Sequence, residues 1–364
     1  LLQGFVAWDP GQDATHCELG YGQGVSANIH AATNPGRFYG TDFTPSQAAH
    51  ANELARFSGS GAKFYENSFA EFLKRDDLPQ FDSISIHGIW SLVSDENRNI
   101  ILDFVRKHLK PGGVFYNSYN CLPGWAPFAP LRELLFLHNR YLAGSSNTHT
   151  SVEEALKFTK NLLSAHPLYA KIVPGIHTRM EQIEEANFDY LAHEYLNDNW
   201  HCMYFSEVAK LHSNRAKLDY ACTAEPLDVI NSINLTKEAI DFLLNLPHPI
   251  VREQARDYFV SRQFRKDLYV RGARKMSPAE KKWRLLGTRV AIMTTAQVEL
   301  KVKGALGEGN LQEEIYQPFI EWMRRDGYAP KWLGEFLREN QSISYPQLEE
   351  MVTILFGKGG NRFF

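Results

Sequence analysis

The stretch HCELGYGQG, residues 16–24, limits the fold of this chain more than any other. Gly20, Gly22 and Gly24 stand two residues apart behind the short apolar run THCEL. A glycine turn between a buried strand and a helix lets a ligand touch the backbone, and it aims amides and a helix N-terminus at that ligand. The segments that follow keep the same alternation. GVSANIHAAT reads as a helix, GRFYGTDF as a second strand and SQAAHANELARFSG as a helix with a glycine stop. AKFYENSF and FDSISIHGIW are strands, DENRNIILDFVRKHL is an amphipathic helix, and KPGGVFYNSYN is a turn running into a fifth strand. Strands separated by helices of this length predict βαβ units, hence an α/β, Rossmann-like doubly wound sheet.

The character changes after CLPGWAPFAPL. Residues 131–245 are dominated by helical periodicity, as in SVEEALKFTKNLLSAH, with no comparable set of strands. Residues 246–364 are mixed. VREQARDYFVSRQFRKDLYVRG is basic and half helical, TRVAIMTTAQVELKVK alternates like one or two strands, and three helix candidates follow. The expected organisation is a ligand-binding domain over 1–130, a helical domain over 131–245 and a mixed α/β module of winged-helix-like form over 246–364. The chain opens LLQGFVAWDP, late in an apolar helix-like segment and without Met, so upstream residues are expected.

Composition narrows the function. A formal charge of −3 and a pI near 6.5 argue against a general nucleic-acid or membrane-surface binder. No apolar run approaches the roughly 18 residues of a membrane span. Cys17, Cys121, Cys202 and Cys222 lie far apart without a CxxC, which fits a reducing, cytoplasmic compartment better than a disulfide framework.

The glycine spacing then separates two ligands. A nicotinamide dinucleotide asks for G-x-G-x-x-G, the third glycine serving helix packing. The spacing here is G-x-G-x-G, and Glu18 stands two residues before the first glycine. That suits S-adenosylmethionine, which has no pyrophosphate but carries an ammonium in need of an acceptor. Asp42 ends the second strand, near the distance at which an acidic residue meets ribose hydroxyls. Phe43 follows as a surface for adenine, and Asn67 or Ser68 ends the third strand where the adenine edge would lie. His87 and Trp90, in HGIW, end the fourth strand. In open α/β sheets, ligands sit beyond the carboxyl ends of the strands, where these candidates all fall.

The blocks CELGYGQG, YGTDF, FDSISIHGIW and LKPGGVFYNSYN resemble class I S-adenosylmethionine-dependent methyltransferases. FDYLAHEYLNDNWHCMYFSEVAKL through AKLDYACTAEPLDVI resembles the methyltransferase regulatory domain found in a bacterial subset. That subset includes the lysine methyltransferases acting on rickettsial outer-membrane protein. The resemblance spans residues 1–245. It implies that Glu18, Gly20, Gly22 and Gly24 hold the methionine part, Asp42 the ribose, and Asn67 with Ser68 the adenine end. His87, Gly88 and Ile89 would supply backbone near the cofactor amine. It also implies a further N-terminal segment whose tyrosine helps close the cofactor site.

Candidates for the acceptor side are Trp90 as a channel wall, Tyr119 and Asn120 as polar groups, and Glu194 and Tyr195 at the substrate mouth. Tyr116 offers a further hydroxyl but alternates with the strand and, of Tyr116, Tyr119 and Asn120, reads as the plain core residue. HEYLND, residues 193–198, is half of a zinc motif, but residue 197 is Asn, so no metal is expected. The basic stretch 262–275 reads as a solvated or interdomain face. The acceptor is expected to be a protein lysine amine, with a small molecule or glycan as the alternative, and a cofactor-binding regulator without catalysis as a third reading. A homodimer is left open.

Overall fold

A computed structural model describes residues 1–6, 11, 13–142 and 148–359. Its centre is a seven-stranded sheet in the order β3-β2-β1-β4-β5-β7-β6. The strands are β1 (Thr15–Leu19), β2 (Arg37–Asp42), β3 (Lys63–Glu66), β4 (Phe81–Ile86), β5 (Leu109–Asn120), β6 (Leu218–Thr223) and β7 (Phe264–Arg271). β1 to β5 are parallel, and β7 runs antiparallel to both β5 and β6. The order reverses between β1 and β4, the switch point at which open α/β sheets bind ligands.

The crossover helices follow from local chemistry. α1 (Val25–Thr33) starts at Gly24, and α2 (Pro45–Ser58) has Pro at its first turn and stops at Gly59 in the left-handed region. The short α3 (Phe69–Leu73) is capped by Ser68. α4 (Asp95–His108) is capped by Ser94, carries Asp95 and Glu96 in its first turn, and ends in Arg106, Lys107 and His108, the charge order that suits the helix dipole. Its buried face, Ile101, Leu102, Phe104 and Val105, joins Phe72, Phe81 and Phe115 in the main core.

A second core belongs to the helices after the sheet's fifth strand. These are α5 (Ala129–Tyr141), α6 (Thr148–Ser164), α7 (Leu168–Ile172), α8 (Ile176–Glu184) and α9 (Phe188–Tyr195). Leu131, Leu135, Ile176, Met180 and Leu191 pack there with Trp125 and Tyr195. α10 (Phe205–Ala216) then returns to the sheet, where Phe205 and Val208 are fully buried.

After β6 come α11 (Asn231–Asn234), α12 (Lys237–Leu244) and α13 (Pro249–Val260), which lead into β7. The last part of the chain holds α14 (Pro278–Leu286), β8 (Arg289–Val290), the hairpin β9 (Lys301–Gly304) and β10 (Gly307–Asn310), and α15 (Glu313–Tyr328), broken by non-helical backbone at Arg325–Gly327. β11 (Lys331–Trp332), α16 (Leu333–Glu339) and α17 (Tyr345–Gly359) complete it around a third core that includes Phe319, Trp322 and Phe336. No helix among the described residues is long and apolar enough to cross a membrane.

Three sequence expectations change. Residues 131–245, read as a helical domain, also send one strand into the main sheet, because LDYACT forms β6 at its edge. The basic stretch 262–275 is not a solvated face, because most of it is β7, an inner strand. The opening residues are not helical either. Gly4 adopts φ 76, its amide donates to the Leu1 carbonyl, and Phe5 bridges to Lys275. Residues 7–10 of that opening stretch lie outside the described residues.

β7 tolerates burial of its charges because they meet their opposites. Arg265, 4% exposed, donates to Asp257 Oδ1 at 2.6 Å, Asp267 Oδ2 at 2.9 Å and Glu253 Oε1 at 2.8 Å. Burial still pushes the Asp257 carboxyl up to about 6, against the pull of the Arg265 guanidinium. Removing one partner from such a cluster strands the others in a medium that cannot solvate them. Arg265→Met is therefore expected to cost about 3–5 kcal/mol, the usual penalty for breaking a buried ion pair. A urea midpoint equal to that of the unaltered protein would contradict this account of β7.

Candidate active site

The three loop glycines occupy left-handed backbone, but their surroundings differ. A Cβ on Gly24 would lie 2.5 Å from the Ala51 Cβ, so this glycine lets α1 pack against α2. A Cβ on Gly20 would press on Ile89 at 3.0 Å. A Cβ on Gly22 would meet nothing within 4 Å. Gly22 thus leaves its space to the crevice rather than to the protein.

The loop is tied to the second strand. Asp42 is buried, its Oδ2 accepts the Gly22 N–H at 3.0 Å and its Oδ1 accepts the Thr44 N–H at 3.0 Å. Each carboxylate oxygen can accept more than one bond, so capacity remains for a diol. Phe43, 74% exposed, presents its ring beside Asp42. The Asn67 N–H donates to the Asp42 carbonyl at 3.1 Å, and the Asn67 Oδ1 accepts from Arg75 at 3.4 Å.

Ser68 is engaged elsewhere. Its hydroxyl accepts the Glu71 N–H at 3.3 Å and donates to Glu71 Oε2 at 2.8 Å, a capping box for α3. Of the two residues read as an adenine edge, Asn67 is the one left facing the question.

Glu18 is the electrostatic anomaly. It lies on β1 beside Gly40 of β2 and Ser85 of β4, and it borders a cavity of ≈ 320 Å³ with His30, Phe38 and Ser83. Burial raises its carboxyl to about 7, with no cation offsetting that rise. Among the described residues no hydrogen bond or ion pair engages this carboxylate. A desolvated carboxylate without a partner is costly unless a donor or cation arrives from outside.

β4 ends in a polar constellation that the sequence reading divided wrongly. The His87 Nδ1 lies 2.8 Å from the Tyr116 hydroxyl and 3.0 Å from the Ser118 hydroxyl. Ser118 Oγ also accepts the Gly88 N–H at 2.8 Å, which fixes the turn Gly88–Ile89. Burial, with the Lys266 ammonium as a second cause, lowers the His87 pKa, so the ring is neutral at pH 7. Tyr116 is therefore a site neighbour rather than a core residue, and Ser118 was missed. The signal was available, since residues two apart on a strand share a face.

The acceptor candidates divide sharply. Trp90, expected as a channel wall, is fully buried and lies edge-on to His212, because a 3-10 turn (Trp90–Leu92) folds it inward and its carbonyl accepts from Arg98 Nε at 2.9 Å. Tyr119 is also fully buried and donates to Asp267 Oδ2 at 2.7 Å, so it belongs to the Arg265 network. Tyr195 is buried in the helical core, and its hydroxyl accepts from Arg179 at 3.0 Å.

Asn120 and Glu194, 74 residues apart, do meet: the Asn120 amide donates to Glu194 Oε1. That oxygen also accepts the Trp200 Nε1–H at 2.7 Å. Ser91 holds the Asn120 backbone N–H at 2.8 Å. The pair sits at the carboxyl end of β5, beside the turn that follows β4.

Comparisons with known proteins bear on the family and the fold. Residues 17–115 match the methyltransferase domain, and residues 187–271 match the predicted methyltransferase regulatory domain, which here includes β6 and β7. The chain is 38% identical over 350 residues to the uncharacterized protein sll1526 of Synechocystis, a match covering 94% of this chain and 68% of that protein. It is 26% identical over 242 residues to the uncharacterized protein RP789 of Rickettsia prowazekii, covering 63% of this chain and 43% of that protein. PKMT2 of Rickettsia typhi, solved in complex with AdoHcy, shares the fold with a TM-score of 0.69 at 18% identity, over 98% of this chain and 71% of that chain. The switch-point loop, the sheet order and these matches lead to one conclusion: the chain belongs to the class I S-adenosylmethionine-dependent methyltransferases that carry a methyltransferase regulatory domain.

Proposed function

We propose that the chain transfers the methyl group of S-adenosylmethionine to a protein lysine amine, using the crevice between the carboxyl ends of β1 and β4. The observation that carries the cofactor assignment is the unpartnered Glu18 carboxylate behind a glycine loop. S-adenosylmethionine, when bound, supplies a methyl group already activated on a sulfonium. In this reading Glu18 accepts the ligand ammonium, and the Gly20–Gly24 loop lies along its amino-acid part. Asp42 accepts from the ribose hydroxyls while keeping the Gly22 amide in place. Phe43 covers the adenine face, Asn67 reads its edge, and His87, Gly88 and Ile89 form the wall toward β5.

The protein must then align the acceptor and deliver it unprotonated. Alignment to about 3–3.5 Å supplies much of the rate in such reactions. A lysine with a pKa of about 10.4 is neutral in only about one molecule per thousand near pH 7.4, a penalty of roughly 4 kcal/mol. Glu194 offers carboxylate oxygen and Asn120 an amide oxygen, both of which accept and so hold an amine. A phenol acceptor would instead call on a base. The acceptor oxygens this pair offers, on Glu194 and on the Asn120 carboxamide, suit an amine, and the resemblance to protein lysine methyltransferases points the same way.

Two expectations follow from these roles. Ligand binding should be linked to protons through Glu18. Its carboxyl titrates near 7 in the free protein and must be ionised to hold an ammonium, so binding releases a proton and strengthens as pH rises through 7. Titration calorimetry with S-adenosylhomocysteine should show affinity falling by up to about ten-fold per pH unit below that point. Glu18→Gln should weaken binding and flatten the profile; a profile that keeps its slope in the variant would refute the assignment.

For the acceptor, tritiated methyl label should appear as methyl-lysine in hydrolysed lysine-containing peptides. Glu194→Gln should lower kcat/KM for them by about 10²-fold, within the range for a proton-handling group, while S-adenosylhomocysteine binding stays as before. Label confined to other residues or to small molecules would overturn the lysine reading.

A further inference from the structure

A second cavity lies at the same end of the sheet, beyond the crevice. Because β7 runs antiparallel, its first residue, Phe264, pairs with Asn120, the last residue of β5. The end of β6 is carried to the same edge, where the Ala224 N–H donates to the Lys266 carbonyl at 2.7 Å. From there a groove of ≈ 460 Å³ extends between Arg262–Phe264 on one side and Lys303–Ala305 of the β9–β10 hairpin on the other, over Leu227 and Asp228 of a 3-10 turn (Pro226–Val229). Its inner end adjoins the crevice, since the Phe264 ring lies edge-on to His87 with centroids 6.2 Å apart.

The far wall is rigidly held. The Leu306 N–H donates to the Ile233 carbonyl at 3.1 Å, and the Ala305 N–H donates to Asn234 Oδ1 at 2.9 Å. The Asn234 amide in turn donates to the carbonyls of Leu227 at 2.7 Å and Ile230 at 2.9 Å. Gly304 packs so closely that a Cβ would lie 2.3 Å from the Ile233 carbonyl oxygen. The hairpin is therefore a fixed wall and not a loop that would fill the groove.

Charge along the groove is mostly cancelled. Arg262 pairs with Asp228 at 2.6 Å, and Lys266 pairs with Glu225. Lys303 is exposed on the outer wall, and among the described residues no ion pair or side-chain hydrogen bond engages its ammonium. A neutral, open trough that starts at the acceptor position and ends at a free cation is built for a chain, not for an enclosed small molecule.

We infer that this groove seats the acceptor polypeptide in extended form, with its lysine entering at Phe264 and an acidic flanking residue meeting Lys303. The inference rests on the protein-lysine reading above and deepens it. It adds a sequence preference: acceptor lysines with Asp or Glu nearby are methylated better than those with Lys or Arg nearby.

The test uses the full chain and synthetic peptide libraries with a fixed central lysine and either acidic or basic flanks, with n-butylamine as the small-amine control. Acidic flanks should raise kcat/KM by about two- to five-fold, the scale of a surface ion pair, and 0.5 M salt should shrink the difference. Lys303→Glu should invert the preference. Ala305→Trp, at an exposed position, should raise KM for peptides about ten-fold or more by obstructing the trough, with n-butylamine kinetics and S-adenosylhomocysteine binding unaltered. Equal peptide kinetics in all three proteins would overturn the groove and leave the lysine reading standing.

A binding arm separates the other failure. Benzophenone-bearing peptides of the same libraries, irradiated with the S-adenosylhomocysteine-loaded protein, should cross-link to residues 225–228, 261–264 or 303–305. Cross-links there without any methylation would keep the groove and discard the lysine reading. Methylation with cross-links only elsewhere would do the reverse.

Discussion

The burial of Arg265 among Glu253, Asp257 and Asp267 is the interaction on which the rest of the molecule turns. It ties β7 to α13, reaches β6 through the Tyr220 hydroxyl at 3.1 Å, and touches β5 through Tyr119 on Asp267. A buried guanidinium with three carboxylates is a weak source of net stability, since desolvation offsets much of the attraction. Its value here is positional. It fixes an antiparallel strand between two others, and that reversal brings residues 264 and 223 to the catalytic end of the sheet.

That placement connects the two halves of the site. On one side, the Asp42 carboxylate accepts the Gly22 N–H and its carbonyl accepts the Asn67 N–H, linking the glycine loop to the ends of β2 and β3. On the other, Asn120 reaches α9 through Glu194, and Phe264 opens onto the groove toward the β9–β10 hairpin. His87, held by Tyr116 and Ser118, stands between them. The regulatory-domain match covers residues 187–271, so that module supplies two strands of the catalytic sheet as well as Glu194.

The legible parts of the sequence were those where local pattern and tertiary role coincide. β1 to β5 alternate with helices whose caps and glycine stops are visible in the chain, and THCEL is β1 residue for residue. β7 was illegible because its inward positions, Arg265 and Asp267, read as solvated charge. Only α13, folding back, supplies Glu253 and Asp257, which join the Arg265–Asp267 pair within β7 and make its burial tolerable. β6 was hidden by brevity among helices. Tyr119 does lie at the end of β5, whereas Trp90 lies past β4 in a 3-10 turn; that turn and a buried carboxylate, not spacing, carry the two side chains inward.

The amino-acid sequence by itself determined the βαβ order, the left-handed glycine loop, and the identity of the acidic residues at the ends of β1 and β2. Those depend on interactions within a few tens of residues, which periodicity and glycine spacing record. The tertiary structure alone decided which polar groups remain without a partner. Among the described residues no cation folds back to neutralise Glu18, whereas Ser68, Tyr119 and Arg265 are fully engaged. Whether a side chain is satisfied is a property of every segment that reaches it, and contacts such as Asn120 to Glu194, 74 residues apart, leave no trace in local pattern.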